Sequence, residues 1–269
     1  AHALRGIGAV VTDQTLEKAQ AGVAGATALL DEAAKKGRLT AEKRDAAAGL
    51  LCASGNEAIG TPDVIVEAVF EDLALKERVI AETFPKLAEG GIYGSNTSTL
   101  PISLLAEACP EPERFVGLHF FSPVHKMKLV EIIRGEKTSD ETLAKAFDYV
   151  QAIGKIPVVV NDARGFFTSR VFGTYLDEGC ALLRDGASPA LIERAGWVAG
   201  MPVGPLQVFD EVSLVLSNRV AEAHAMLDER LGVENGFPAD KSNTDAVLRK
   251  MLAQDRGGRH YGGGFYDYG

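Results

Sequence analysis

Between Ile7 and Val160 short apolar runs that read as buried strands alternate with stretches of helical periodicity. Such alternation predicts a layered α/β fold, because strands apolar on both faces need helices to cover them. The strongest run is VIVEAVF, Val64 to Phe70; the others are Ile7 to Val11, Leu50 to Ala53, Gly91 to Ser95, Phe115 to His119, Met127 to Ile133 and Ile156 to Val160. Between them, Leu16, Ala19, Val23, Ala26, Leu29 and Leu30 recur at helical spacing, and that helix ends in Lys35 and Lys36 before Gly37, as the helix dipole favours. Leu73 to Leu87, Pro101 to Ala108 and Ser139 to Gly154 read as further helices. From Gly165 onward the pattern changes: helices are expected over Phe166 to Leu183, after a cap at Ser188, and over most of Leu206 to Ala225. Residues 1–162 are thus expected to form an α/β domain and residues 163–269 an all-helical one.

Two features of this pattern carry chemistry. Glu131 sits inside the apolar run Met127 to Ile133, where a carboxylate is costly to bury without a partner. His119, closing the run Phe115 to His119, is the natural candidate, and the hydroxyl cluster Asn96-Thr97-Ser98-Thr99 ends another strand nearby in sequence. A His held by a Glu, with a Ser close by, is the equipment of a general base acting on an alcohol or carbonyl. The second feature is Asp13, at the end of a strand and ahead of a helix. An acid there can accept hydrogen bonds from a ribose diol and repel a 2′-phosphate; it can equally cap the helix.

Composition narrows the partners. The formal net charge of −9 argues against nucleic acid or an anionic membrane surface as the main partner. Cys52, Cys109 and Cys180 are too far apart for a CxxC motif, so neither a disulfide framework nor a metal site is expected, and a reducing, intracellular compartment is. No apolar run reaches membrane-spanning length.

The strings SNTSTLPI, from Ser95, and GLHFFSPVHKMKLVEII, from Gly117, resemble the 3-hydroxyacyl-CoA dehydrogenases of fatty-acid β-oxidation. The resemblance continues through nearly all of the chain and is strongest to the dehydrogenase module of the long multifunctional enzymes, which also carry an enoyl-CoA hydratase domain. It implies a Rossmann-like NAD-binding domain followed by a helical domain, and oxidation of (3S)-3-hydroxyacyl-CoA to 3-oxoacyl-CoA with NAD as hydride acceptor. By resemblance His119 is the general base, Glu131 orients it, and Ser98 binds the substrate oxygen or the nicotinamide amide. Asp13, Val69, Phe70, Glu71 and Ser122 approach the cofactor and Lys76 braces its site, while Lys36 and Ser169 reach the acyl-CoA. The resemblance also implies a homo-oligomer or a complex with a thiolase subunit, in a bacterial-type cytoplasm or an organelle matrix. A related NAD-dependent hydroxyacid dehydrogenase, or a non-catalytic scaffold or dimerisation module, are the alternatives.

Several positions depart from the family pattern. Ser122 stands where many members have Asn. Ser169, in Arg164-Gly165-Phe166-Phe167-Thr168-Ser169-Arg170, replaces the amide residue of the short members, and Arg164 replaces a proline. Gly6-Ile7-Gly8 lies within a strand rather than between a strand and a helix, so it is not the G-x-G-x-x-G turn. The run Ile7 to Val11 resembles the family's second strand, which implies one more βα unit upstream, about 30 residues. Without it the sheet is expected to be interrupted, and the pyrophosphate to lack its helix N-terminus. Cys180 and Trp197 read as packing residues, and the tail GRHYGGGFYDYG as a tight turn with its rings laid back on the helical domain.

Overall fold

The computed structural model describes residues 1–231 and 242–269, with side chains given for 1–222 and 243–269. The chain divides into two compact units, Ala1–Asp162 and Ala163–Gly269.

The first unit runs β1 (Ala9–Val11), α1 (Leu16–Lys35), α2 (Ala41–Ala48), β2 (Leu51–Ala53), β3 (Val64–Glu67), α3 (Leu73–Thr83), β4 (Ile92–Ser95), α4 (Ile102–Leu105), β5 (Phe115–Phe120), β6 (Leu129–Arg134), α5 (Asp140–Ala152) and β7 (Ile156–Asn161). Its strands form two sheets: β1 and β2 pair in parallel, and β3-β4-β5-β6-β7 form a separate five-stranded sheet. In the larger sheet every pairing is parallel except β5 with β6. β1 and β3 therefore each have a single neighbouring strand.

Side-chain alternation fixes which face does what. Val116 and Leu118 of β5, with Val130 and Ile132 of β6, are buried against Ala146 and Val150 of α5. The intervening residues must face the other way. Gly117 lies on that opposite face, where an added Cβ would meet Ile133 Cβ at 2.7 Å and Ile102 Cγ1 at 2.8 Å. The same alternation sends His119 and Glu131 to the Gly117 face. Ser139 caps α5 by accepting the Thr142 N–H, and Asp162 closes the N-terminus of α4 by accepting the N–H groups of Ile102 and Ser103 at 2.9 and 2.7 Å.

Several elements are shorter than their apolar runs. β3 stops at Glu67 rather than Phe70, because the Glu67 carboxylate accepts the Val69 N–H at 2.7 Å and turns the chain. α3 gives way to a 3-10 turn, Phe84–Lys86, at Pro85, whose ring cannot continue an α-helix.

The second unit is helical: α6 (Thr168–Arg184), α7 (Pro189–Val198), α8 (Pro205–Val212), α9 (Leu214–Leu231) and α10 (Ser242–Leu252). Leu176, Cys180, Phe209, Leu214, Val247 and Leu248 make its core. Ser188 caps α7 as expected. Leu206 to Ala225 is mostly helical as expected, in two helices divided at Ser213, whose φ of 86° lies outside helical geometry. The tail folds back: Phe265 stacks tilted on Phe209, and the buried Asp210 accepts the Phe265 and Tyr266 N–H groups and the Tyr268 hydroxyl. Trp197 corrects the sequence reading: it is 54% exposed, because the short helix α7 turns that side outward, and only Cys180 is core.

Candidate active site

The carboxyl ends of β3, β4 and β5 share one edge of the five-stranded sheet, since these strands run parallel. Ligands of open α/β sheets bind outside that edge. Three loops leave it: residues 68–72 after β3, 96–101 after β4 and 121–128 after β5.

His119 and Glu131 are directly paired across the antiparallel β5–β6 ladder. The His119 Nδ1–H donates to Glu131 Oε2 at 2.7 Å. The Glu131 side chain is fully buried and that of His119 is 10% exposed, so the pair sits out of bulk water, where its mutual attraction is least screened. With Nδ1 as donor, the lone pair of the imidazole is on Nε2. Phe121 packs against the ring at 4.5 Å between centroids. Asn96 Oδ1 accepts the Phe120 N–H at 2.8 Å and ties the loop after β4 to the strand carrying His119.

A second polar cluster organises the loops. Glu71 Oε1 accepts the Thr97 hydroxyl at 2.6 Å, the Thr99 hydroxyl at 2.8 Å, and the N–H groups of Ser98 and Thr99 at 3.0 and 2.9 Å. The Ser98 hydroxyl is more distant from it, at 3.4 Å. Burial pushes the Glu71 carboxyl up, but the Thr97 hydroxyl, the Lys76 charge and the Thr99 and Ser98 donors outweigh it and hold the group below its ordinary value. Lys76 is 1% exposed. Its Nζ donates to Glu67 Oε1 at 2.9 Å and to the Val69 carbonyl at 3.1 Å, and lies 3.4 Å from Glu71 Oε2. Glu67, to which the sequence reading gave no role, is 3% exposed and also accepts the Ser95 hydroxyl at 2.7 Å. Its signal was available: like Glu131, it is a carboxylate inside an apolar run.

The remaining expected site residues are placed as follows. Asp13 is exposed beyond the end of β1, and its carboxylate accepts the Gln14 N–H at 2.7 Å. It does not cap α1; Thr15 does, through the Lys18 N–H. Phe70 is 81% exposed and Val69 half-buried. Ser122 is exposed in the loop after β5. Lys36 is exposed at the end of α1 and ion-paired with Glu32. Ser169 belongs to the second unit, in the first turn of α6, half-buried. Arg164, of the same unit, is fully buried, and nothing in the structure explains why arginine stands there. The structure thus gathers His119, Glu131, Glu71, Lys76 and Ser98 at one sheet edge within the first unit.

Residues 1–163 match the model of the 3-hydroxyacyl-CoA dehydrogenase NAD binding domain, and residues 165–268 that of the 3-hydroxyacyl-CoA dehydrogenase C-terminal domain. The chain belongs to the 3-hydroxyacyl-CoA dehydrogenase family. It is 39% identical over 242 residues to the fatty acid oxidation complex subunit alpha of Shewanella putrefaciens, a match covering 90% of this chain and 33% of that protein. The chain therefore spans about a third of the length of the curated relatives it matches. Among solved structures, the 3-hydroxybutyryl-CoA dehydrogenase of Escherichia coli K12 superimposes with a TM-score of 0.88 at 28% identity, covering 99% of this chain and 56% of that one. The (S)-3-hydroxybutyryl-CoA dehydrogenase of Ralstonia eutropha gives 0.84 at 30% identity, over 99% of this chain and 92% of that one.

The domain model matched by residues 1–163 is an NAD binding domain. An exposed carboxylate beyond the end of a parallel strand, at Asp13, suits a ribose diol. An exposed apolar side chain at the carboxyl edge, Phe70, suits a flat ring system. Gly6, at φ 77°, closes a 3-10 turn (Ala3–Arg5) that leads into β1 rather than into a helix, so it offers no helix N-terminus to a pyrophosphate. An exposed carboxylate and an exposed apolar ring are thus present among the residues expected to meet NAD.

Proposed function

We propose that this chain is the dehydrogenase portion of a fatty-acid oxidation enzyme, oxidising (3S)-3-hydroxyacyl-CoA to 3-oxoacyl-CoA. The observation that carries the proposal is the buried His119–Glu131 pair at the carboxyl edge of the parallel strands. Nε2 of His119 takes the proton from the C3 hydroxyl. Glu131 keeps Nδ1 as the donor and stabilises the imidazolium that results. NAD, when bound, accepts the hydride that leaves C3. The Asp13 carboxylate holds the adenosine ribose, and Val69 and Phe70 line the dinucleotide. Glu71 acts through the 97–99 loop, which it holds by four hydrogen bonds of 3.0 Å or less. The Ser98 hydroxyl is thereby presented to the nicotinamide amide or the substrate oxygen, with Ser122 at the neighbouring loop.

Residues 1–162 are assigned to cofactor binding and 163–269 to the helical substrate domain; Ser169 in the second unit and Lys36 in the first are the candidate acyl-CoA residues. Relatives that are alpha subunits of a fatty acid oxidation complex support assembly with a second, thiolase-type subunit. Among the described residues no helix is long and apolar enough to cross a membrane, and an intracellular location is part of the same proposal. The test is NADH formation by the purified full-length protein with a short-chain (3S)-hydroxyacyl-CoA against the matching free hydroxyacid. Preference for the thioester is expected; preference for the free acid would transfer the chain to a different dehydrogenase class.

A further inference from the structure

We propose that Asn96 is a positioning residue for the proton transfer: its side-chain oxygen holds the loop carrying Ser98 against the strand carrying His119. This inference rests on the dehydrogenase reading above. β4 stops at Ser95, its last residue in register with β5, opposite Gly117. Beyond that point a side chain continues the ladder. Asn96 Oδ1 accepts the Phe120 N–H at 2.8 Å, as a strand carbonyl would. The Asn96 N–H donates to the Glu67 carbonyl at 2.8 Å, so this one residue is bonded to both strands that flank β4. Only the oxygen of a carboxamide can accept an N–H, which fixes the way the Asn96 amide is turned. Its NH2 group has no partner among the described residues.

The groups that must act on one substrate oxygen lie on either side of this tie. Ser98 follows Asn96 by two residues, and His119 directly precedes Phe120. Among the described residues, the Asn96–Phe120 bond is the single hydrogen bond from the 96–101 loop to β5. The loop is held on its other side by Glu71, which accepts the Thr97 and Thr99 hydroxyls and the Ser98 and Thr99 N–H groups. Without Asn96 Oδ1, the loop's remaining hydrogen bonds to a neighbouring strand or its loop lie on the β3 side, and the Phe120 N–H loses its acceptor. Ser98 is then free to drift from His119. A base and a hydroxyl aimed at the same atom tolerate little drift: a misplacement of about 1 Å can cost about 100-fold in rate.

The experiment uses the full-length protein with NAD and a short-chain (3S)-hydroxyacyl-CoA, and reads kcat and the two KM values separately. Asn96→Ala removes the acceptor; kcat is expected to fall by about 10- to 100-fold, with both KM values within about threefold. Asn96→Asp keeps an acceptor oxygen in the same place and discards the NH2; it is expected to recover kcat to within about fivefold of wild type. An aspartate variant as slow as the alanine one would show that the reaction uses the NH2 rather than the tie. Unchanged kcat in Asn96→Ala would show the tie to be idle, and raised KM values with kcat intact would make Asn96 a binding residue. Each of these results overturns the proposal. Amide hydrogen exchange reads the tie directly: the Phe120 proton should exchange at least about tenfold more slowly in wild type and Asn96→Asp than in Asn96→Ala, and equal rates would also overturn it. If Asn96→Ala does not fold, Asn96→Ser, whose hydroxyl is too short to reach the Phe120 N–H, takes its place with the same expected losses. A wild-type protein that forms no NADH from the thioester would sink the dehydrogenase reading itself, a result that none of the variants can mimic.

Discussion

The imidazole of His119 and the carboxylate of Glu131 meet at 2.7 Å across the antiparallel pairing of β5 with β6, on the face opposite Leu118, Val130 and Ile132. Their encounter is a property of strand register. Slipping β6 by one residue would turn Glu131 into the apolar layer beneath α5 and remove it from the histidine. The hydrophobic pairing that builds the core therefore also aligns the acid–base pair.

His119→Gln should cut turnover by about 10²–10⁴-fold, the usual contribution of a positioned base, with little change in NAD affinity measured by calorimetric titration. Activity retained within a few-fold would remove His119 from its role. Glu131→Gln keeps an acceptor for the Nδ1–H but loses the charge that stabilises imidazolium, so its loss should be smaller. An unaltered pH–rate profile in that variant would dissolve the idea of a coupled pair.

The fold and the pair were legible because both rest on local signals. Apolar runs such as Val64 to Phe70 mark buried strands, and a carboxylate inside one of them, Glu131, demands a partner. What escaped depends on contacts distant in sequence. Glu67 meets Ser95 across 28 positions and Asp162 caps α4 from 60 positions away, spacings that no periodicity reports. Glu71 and Lys76, near neighbours in sequence, could be taken for an exposed pair of little worth. Lys76 is instead buried to 1% exposure, with Glu67, the Val69 carbonyl and Glu71 around its ammonium, which is a tertiary fact. Trp197 shows the opposite error: a large apolar residue at helical spacing need not face inward.

Gly117 is the point where the site face tolerates no side chain. An added Cβ would lie 2.7 Å from Ile133 Cβ and 2.8 Å from Ile102 Cγ1, closer than real contacts allow. Gly117→Ala should destabilise the protein by about 1–3 kcal/mol, the usual cost of overpacking, and lower turnover because Gly117 lies two residues before His119. Urea unfolding followed alongside activity tests this; a variant of unchanged midpoint would mean that β5 can shift freely against α4.

Asp13 should select the cofactor. Its carboxylate is exposed, is not the cap of α1, and would repel a 2′-phosphate. In the full-length protein Asp13→Ser should narrow the NAD-over-NADP preference in kcat/KM by about tenfold, the loss of one charge–charge repulsion of roughly 1.4 kcal/mol. An unchanged ratio would leave Asp13 as a loop residue satisfied by the Gln14 N–H.

Glu71 gives the site a definite response to acid. Its carboxyl is pushed up by burial, but the Thr97 hydroxyl, Lys76, the Thr99 hydroxyl and the Ser98 N–H together hold it below the ordinary value of 4.5. A group with a depressed folded-state pKa stabilises the native protein above its unfolded pKa, and that contribution disappears as the pH falls through the folded one. Thr99→Val removes a hydroxyl that donates to Glu71 at 2.8 Å while keeping the shape. The variant should be less stable than wild type by about 1–2 kcal/mol at neutral pH, as expected for a hydrogen bond to a charged acceptor. The gap should shrink as the pH is taken below 4.5 and Glu71 becomes protonated in both proteins. Chemical unfolding across that range is the measurement. A difference that stays constant from neutral to acid would mean that the hydroxyl stabilises the loop by packing alone, and that the Glu71 charge does not hold it.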